Sequence, residues 1–150
     1  MTKDDVIETI YRTCELLDRE NFDEWLDLCG TEFKYLITTF SDELGHEMTW
    51  MVQDKPGMAH VFSNVENHER YTGKLRRHVS MARVVLHDAR RASVESAVAV
   101  YHTELNGVSQ LYAIGTYKDE IHDIDGRLRL VSRHVVLDTR RLPFGPHVPV

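Results

Sequence analysis

The second half of the chain consists of long segments in which apolar and polar residues alternate, and this pattern constrains the possible folds most. Four such segments occupy residues 75–87, 93–105, 109–122 and 127–138. A period of two predicts β-strands with one face turned towards a core. The last two segments are separated by a short polar stretch ending in Asp-Gly, which favours a tight hairpin. We therefore predict a run of long antiparallel strands.

The N-terminal part of the chain follows a helical period instead. Residues 4–19 carry apolar side chains three and four positions apart, which predicts an amphipathic helix capped by Thr2 or Asp4. Residues 22–29 repeat the spacing, and Gly30 is the expected stop. Most acidic residues here fall on the polar faces of the two helices, so we interpret them as a solvated surface rather than a docking surface.

Two shorter elements lie between the helices and the long strands. Residues 32–53 alternate like a strand pair, and Pro56-Gly57 should open a short helix that reaches about Asn67. Helices followed by consecutive strands predict a single α+β domain over residues 1–150, with the N-terminal helices packed on one face of a curved antiparallel sheet. The other face of such a sheet needs a pocket or a partner to cover it.

Composition excludes several classes of protein. The chain has 150 residues and a formal net charge of −6, with its basic residues scattered, so it offers no basic stripe to a nucleic acid. A chain this long buries roughly two thirds of its unfolded surface without disulfides or a structural metal. No apolar stretch approaches the roughly 18 residues of a membrane span, so we expect no membrane partner. Cys14 and Cys29 lack a CxxC spacing, which favours packed thiols in the cytoplasm.

Nine histidines raise the question of a metal site. They form neither an HxH nor an HExxH motif, and no Cys/His spacing typical of zinc or iron–sulfur sites occurs. An iron-binding triad assembled from distant residues stays a minor alternative. Nucleotide-binding and α/β-hydrolase motifs do not occur either. We therefore predict no metal-binding and no cofactor-binding residue in this chain.

A stand-alone catalytic site could be built from His78, Tyr35, Tyr101 and His102, which lie on three predicted strands. A buried His and Tyr could act as general acid and base on a small carbonyl compound, because burial moves the pKa of His into the working range. The alternative is a core histidine satisfied by its neighbours or by a subunit interface. We favour the alternative and assign no catalytic residue, because no carboxylate that would orient His78 lies nearby in the sequence. The strand face that carries His78 grows apolar along Arg76, His78, Ser80, Ala82, Val84 and Leu86.

The C-terminal tail is rich in proline. Three of the four prolines lie in the last eight residues, so the tail cannot enter a sheet and is expected to lie extended on a surface or a partner. The arginine pair that opens this tail suits a polar contact between subunits. We predict subunit contacts at Arg140, Arg141 and Phe144.

Five short segments lie in a fixed order along the chain: 16–18 (LLD), 22–28 (FDEWLDL), 75–80 (LRRHVS), 125–131 (DGRLRLV) and 136–139 (VLDT). This ordered set resembles the small (beta) subunit of Rieske non-haem iron aromatic-ring-hydroxylating dioxygenases. The similarity covers nearly the whole chain. Two further segments, 37–41 (ITTFS) and 137–142 (LDTRRL), look most like the methanesulfonate monooxygenase branch of that family.

The resemblance implies a cone-shaped fold of the nuclear transport factor 2 type and a structural role. In that family the small subunit scaffolds a catalytic alpha subunit, often as a trimer within a hetero-hexamer, and the alpha subunit carries the Rieske iron–sulfur cluster and the mononuclear iron. This chain departs from the family at Ala82, where members often have Asn, which weakens any polar network around His78. We expect a non-catalytic subunit of an oxidoreductase. The alternative is a stand-alone dehydratase or isomerase of the same fold that acts on a small hydrophobic molecule.

Overall fold

The computed structural model describes residues 1–65, 72–146 and 148–150. The predicted end of the third helix near Asn67 lies outside these residues. The elements within them are the helices α1 (Lys3–Asp18), α2 (Phe22–Leu28) and α3 (Lys55–Ser63), and the strands β1 (Cys29–Ser41), β2 (His46–Asp54), β3 (Lys74–Leu86), β4 (Arg91–Thr103), β5 (Ser109–Ile124) and β6 (Arg127–Leu137).

Helix α1 begins with a capping box at Thr2. The Thr2 hydroxyl oxygen accepts a hydrogen bond from the Asp5 main-chain N–H at 3.2 Å, and the Asp5 carboxylate accepts one from the Thr2 N–H at 2.8 Å. These bonds satisfy main-chain donors that a helix start leaves unpaired. The cap is therefore Thr2 and not Asp4. Val6, Ile10 and Leu17 form the buried face of the helix.

Helix α2 passes into β1 without an intervening turn. The helix ends at Leu28, and β1 starts at Cys29, so the expected stop at Gly30 is wrong. Gly30 is a buried strand residue. A Cβ at this position would lie 3.7 Å from the nearest atom, which is an ordinary van der Waals distance, so the position does not require glycine for space. The backbone changes from helical to extended at this point. Cys29 and Phe33 are both buried, so the start of β1 continues to face the core.

The six strands form one open sheet in the order β2-β1-β6-β5-β4-β3. Among the described strands, β1 and β6 pair in parallel and the other neighbours pair antiparallel. The α+β prediction is confirmed, with a mixed sheet in which β2 and β3 form the edges. We call the face that carries Tyr35, Tyr117 and Arg133 the inner face, because the helices pack on it.

The inner face and the helices enclose an aromatic core. The rings of Phe22 and Phe62 stack with centres 4.3 Å apart, and Trp25 meets the edges of Phe33 and Phe62 at 5.5 Å. Offset and edge-to-face pairs of this kind add to the free energy gained by burial. Together they fix α2 and α3 against β1.

A β-bulge in β3 reverses the direction of its side chains. The register with β4 shifts between Ser80 and Arg83, and Met81 between them has a φ of 54°. One extra residue in a strand exchanges its inner and outer faces. Arg77 is therefore buried before the bulge and Val84 after it. The single continuous face predicted for this strand is wrong.

Within the described part of the chain, no helix combines the length and the apolar character that crossing a bilayer requires.

Candidate functional site

A buried ion pair lies between the inner face of the sheet and α1. Arg133 on β6 donates from Nε and Nη2 to the two carboxylate oxygens of Asp119 on β5, at 2.8 and 2.9 Å. Nη2 also donates to Thr13 Oγ1 at 2.9 Å, and the guanidinium carbon lies 4.0 Å from the ring centre of Tyr117. Burial disfavours the charge of Arg133, but the carboxylate of Asp119 outweighs this and holds the pKa of Arg133 well above its ordinary value. This cluster ties α1 to the middle of the sheet.

A second ion pair joins the end of α1 to the edge strand β3. Arg77 Nη1 donates to Asp18 Oδ1 at 2.7 Å, and the Arg77 main-chain N–H donates to the same carboxylate at 3.1 Å. Nη2 donates to the main-chain oxygen of Pro149. The Arg77 side chain is fully buried, and its Nε has no hydrogen-bond partner within the described residues.

The end of the C-terminal tail lies inside the molecule. Tyr117 donates its hydroxyl proton to the main-chain oxygen of Val150 at 2.8 Å, and the Val150 N–H donates to the Tyr35 hydroxyl oxygen at 2.9 Å. The predicted position of the tail on a surface is therefore wrong for Pro149 and Val150, which are buried. Main-chain polar groups can enter a core only where partners satisfy them, and Arg77 and the two tyrosines do so here.

The four residues considered for a stand-alone catalytic site lie on two faces of the sheet. Tyr35 and His102 are buried, whereas His78 and Tyr101 are exposed, with their ring centres 5.3 Å apart. The expectation of a buried His78 is wrong because the bulge in β3 reverses the faces of that strand. A single cavity containing all four side chains is not formed.

The two buried members of this set are bonded to the chain itself. Burial raises the pKa of Tyr35, so its phenol stays protonated at neutral pH, and its oxygen is held by Val150. His102 Nε2 lies 3.2 Å from the main-chain oxygen of Thr72. Gly73 makes this approach possible, since a Cβ there would lie 2.5 Å from His102 Nε2. These contacts hold both side chains within the fold.

The described residues do not fit a metal or an iron–sulfur cluster. No group of three or more His, Cys, Asp or Glu side chains suited to a metal ion occurs in residues 1–65, 72–146 and 148–150. Cys29 is buried, its Sγ donates to the Trp25 main-chain oxygen at 3.4 Å, and burial raises its pKa to about 12. Burial also raises the pKa of Cys14. A cluster ligand must be a thiolate, which these surroundings disfavour.

The residues predicted to contact another subunit make contacts within the chain. Arg140 Nη1 donates to Glu43 in the turn between β1 and β2. Phe144 stacks on Tyr112 with ring centres 4.6 Å apart, and Arg141 is exposed. A role of these three residues at a subunit interface stays a prediction.

An apolar surface covers the outer side of β4 and β5 and the turn that joins them. Tyr101 faces Leu111 across the strand pair, and Ile114 lies further along β5 opposite Ala99. Tyr101 is 39% exposed, Leu111 50% and Leu105 in the turn 82%. Apolar side chains this exposed and this close together are typical of an interaction surface. We call Tyr101, Leu105, Val108, Leu111 and Ile114 the outer patch.

Sequence reasoning missed three buried charged residues, Arg77, Asp119 and Arg133, among the residues that the structure describes. Asp119 alternates in phase with Tyr117 and Ile121 along β5, and Arg133 is in phase with Val135 on β6. A charged residue on the apolar phase of a strand indicates a buried ion pair. That signal was present in the sequence for Asp119 and Arg133, whereas for Arg77 the bulge obscures it.

Comparison with known proteins connects this architecture to a family. The model of the SnoaL-like domain family matches residues 2–134. The chain is 52% identical over 145 residues to the beta subunit of 2-aminobenzenesulfonate 2,3-dioxygenase from an Alcaligenes species, covering 97% of each chain. It is 31% identical to the hydroxylase beta subunit of methanesulfonate monooxygenase from Methylosulfonomonas methylovora, covering 98% of this chain and 86% of the relative.

A solved structure has the same fold. It comes from Novosphingobium aromaticivorans and is assigned as the beta subunit of an aromatic-ring-hydroxylating dioxygenase. The two structures superpose with a TM-score of 0.84 at 20% identity, over 99% of this chain and 96% of the other.

Proposed function

The chain belongs to the SnoaL-like domain family and, within it, to the small (beta) subunits of ring-hydroxylating oxygenases, and on that basis we propose that it scaffolds a catalytic large (alpha) subunit. The observation that carries the proposal is the 52% identity to a dioxygenase beta subunit along 97% of both chains. The interior agrees with a structural role, because its polar side chains bind the chain's own helix and tail.

The outer patch is the surface on which we place the large subunit. An interface core is enriched in aromatic and aliphatic side chains and depleted of charge, and the outer patch has this composition. Leu111 lies at its centre, facing Tyr101. Arg140 and Arg141 lie on the tail segment that follows β6 and would supply polar contacts at the rim.

The redox centres belong, in this proposal, to the large subunit. Cys14 and Cys29 are buried thiols with raised pKa values, and the described residues hold no cluster of metal ligands. The small subunit would then act on the reaction only by holding the large subunits in place. We propose a complex of three large and three small chains, in which the small chains form a trimer, located in the cytoplasm, where free thiols persist.

The substrate class that we propose for the complex is a sulfonate. The two relatives described above, at 52% and 31% identity, are subunits of enzymes named for sulfonates. The higher identity is to the enzyme named for an aromatic sulfonate, which favours that class over methanesulfonate.

Co-purification of an affinity-tagged large subunit with this chain tests the scaffold role. The wild-type chain should be retained in a fixed ratio, and light scattering after gel filtration should give equal numbers of the two chains. Leu111→Lys should lower the retained amount at least about ten-fold, because it places a charge in the centre of the interface. Tyr11→Lys is the matched control, since Tyr11 is similarly exposed on α1, and it should leave retention unchanged.

Two results would contradict the proposal. One is a large subunit that is fully active and does not retain the wild-type chain. The other is equal retention of Leu111→Lys and wild type when circular dichroism shows both folded, which would remove the outer patch from the interface. The dehydratase or isomerase alternative gains no support, because His78 and Tyr101 lie on the opposite face from Tyr35 and His102.

A further inference from the structure

A cavity of about 540 Å³ opens between the end of α1, the start of β3 and the C-terminal tail. We call it the mouth cavity. Its volume falls in the range of sites that hold small molecules. Its wall includes Arg77, His102, Tyr112 and Phe144, none of which belongs to the outer patch.

One wall of the mouth cavity is aromatic. Phe144 and Tyr112 stack with an interplanar angle of 27°, and His102 meets Phe144 edge-on with ring centres 5.3 Å apart. Leu17 and Leu75 add aliphatic surface beside these rings. A flat ring placed here gains both burial and favourable ring contacts.

The rim of the mouth cavity carries more positive than negative charge. Among the described lining residues, Arg19, Lys74, Arg76 and Arg77 stand against two carboxylates, Asp18 and Glu20. Arg19 is paired with Glu15, outside the cavity, at 2.7 Å, and Arg76 Nε lies 3.9 Å from Asp18 Oδ2, so the excess of positive charge lies mainly at Lys74 and Arg76. The Arg77 guanidinium is buried beneath the cavity, where the lower dielectric strengthens its field, and Asp18 is its paired carboxylate. Burial also raises the pKa of Tyr112, so this phenol stays neutral and does not repel an anion.

From this combination we propose that the mouth cavity binds a small aromatic molecule that carries one oxyanion group, with the ring against Phe144 and Tyr112 and the anion towards the arginines. The tail stays in place and forms part of the wall. The site goes beyond scaffolding and does not depend on the large subunit.

Calorimetric titration of the full chain with three probes tests the proposal. Benzenesulfonate carries both the ring and the charge, benzenesulfonamide carries the ring without the charge, and methanesulfonate carries the charge without the ring. Benzenesulfonate should saturate with a 1:1 stoichiometry and bind at least about ten-fold tighter than either other probe. Its affinity should fall as salt is added, since much of the positive charge is exposed.

Matched variants locate the site. Phe144→Ala should weaken benzenesulfonate binding at least about five-fold, whereas Phe40→Ala, an exposed aromatic on β1, should not change it. Arg76→Gln should weaken binding about three-fold and flatten its salt dependence, whereas Arg83→Gln, beyond the bulge on the same strand, should do neither.

Three outcomes would overturn the proposal. They are the lack of saturation by benzenesulfonate, equal affinities for the three probes, and unchanged binding by Phe144→Ala. None of them affects retention by the large subunit, so failure here is distinguishable from failure of the scaffold role.

Discussion

Asp119→Ala is expected to destabilise the fold by about 3–5 kcal/mol. Both oxygens of this carboxylate accept hydrogen bonds from Arg133, and both side chains are fully buried. After the substitution, the guanidinium stays in the core with Thr13 and the ring of Tyr117, and its Nη1 already lacks a partner among the described residues. A buried charge without its counter-charge is costly, and the loss is a large part of the roughly 5–15 kcal/mol that stabilise a typical domain.

Urea unfolding followed by tryptophan fluorescence measures this loss. With a slope of about 2 kcal/mol per molar, the midpoint should fall by about 2 M. Asp88→Ala is the control, because it removes an exposed partner of Arg91 at 2.7 Å, and its midpoint should stay close to that of the wild type. The double variant Asp119→Leu with Arg133→Met should recover much of the stability, since apolar side chains can replace a buried ion pair. Equal midpoints for Asp119→Ala and Asp88→Ala would refute the reasoning.

Other predictions concern three further places in the fold. Burial holds the pKa of His134 below its ordinary value of 6.5, so the unfolded chain binds a proton more readily than the folded chain does. The contribution of neutral His134 to the stability of the fold is therefore complete above pH 6.5 and is lost as the pH falls below that value. Urea midpoints measured from about pH 7.5 to 5 should therefore fall more for the wild type than for His134→Gln, and parallel curves would contradict this. Cys29, with its raised pKa, should react with Ellman's reagent only after unfolding, and fast reaction of the native chain would disprove its burial. Gly115→Ala puts a Cβ 2.3 Å from the Val136 main-chain oxygen and should cost about 1–3 kcal/mol, whereas Gly30→Ala, with no atom nearer than 3.7 Å, should be nearly neutral in the same unfolding assay.

The elements of this fold could be predicted from the sequence because their signals are local. The helix predicted over residues 4–19 is observed at Lys3–Asp18, and the last strand, predicted over 127–138, is observed at Arg127–Leu137. The parallel pairing of β1 with β6 has no local signal, since the alternation of apolar and polar residues in a strand does not identify its neighbour in the sheet. The order of strands in the sheet therefore had to come from the structure.

The candidate site was harder to predict for two physical reasons. Met81 adopts a positive φ without being glycine, so no residue signal predicts the bulge. Because of the bulge, His78 lies on the outer face while Val84 on the same strand lies on the inner face. The buried end of the tail depends on donors from distant strands, such as Tyr117, and proline content alone favours an exposed tail. Asp119 differs from these, because its place on the apolar phase of β5 could have been noticed.

The parallel pair of β1 and β6 also bears on how the protein is made. Thr38 on β1 and His134 on β6 share a hydrogen bond although they are 96 positions apart. On the ribosome, β1 leaves the exit tunnel long before its central neighbour has been translated, and closing so long a loop slows folding. Until then one edge of β1 is an open template for pairing with other chains. The unpaired edge of β1 is therefore an aggregation risk in the nascent chain until β6 emerges.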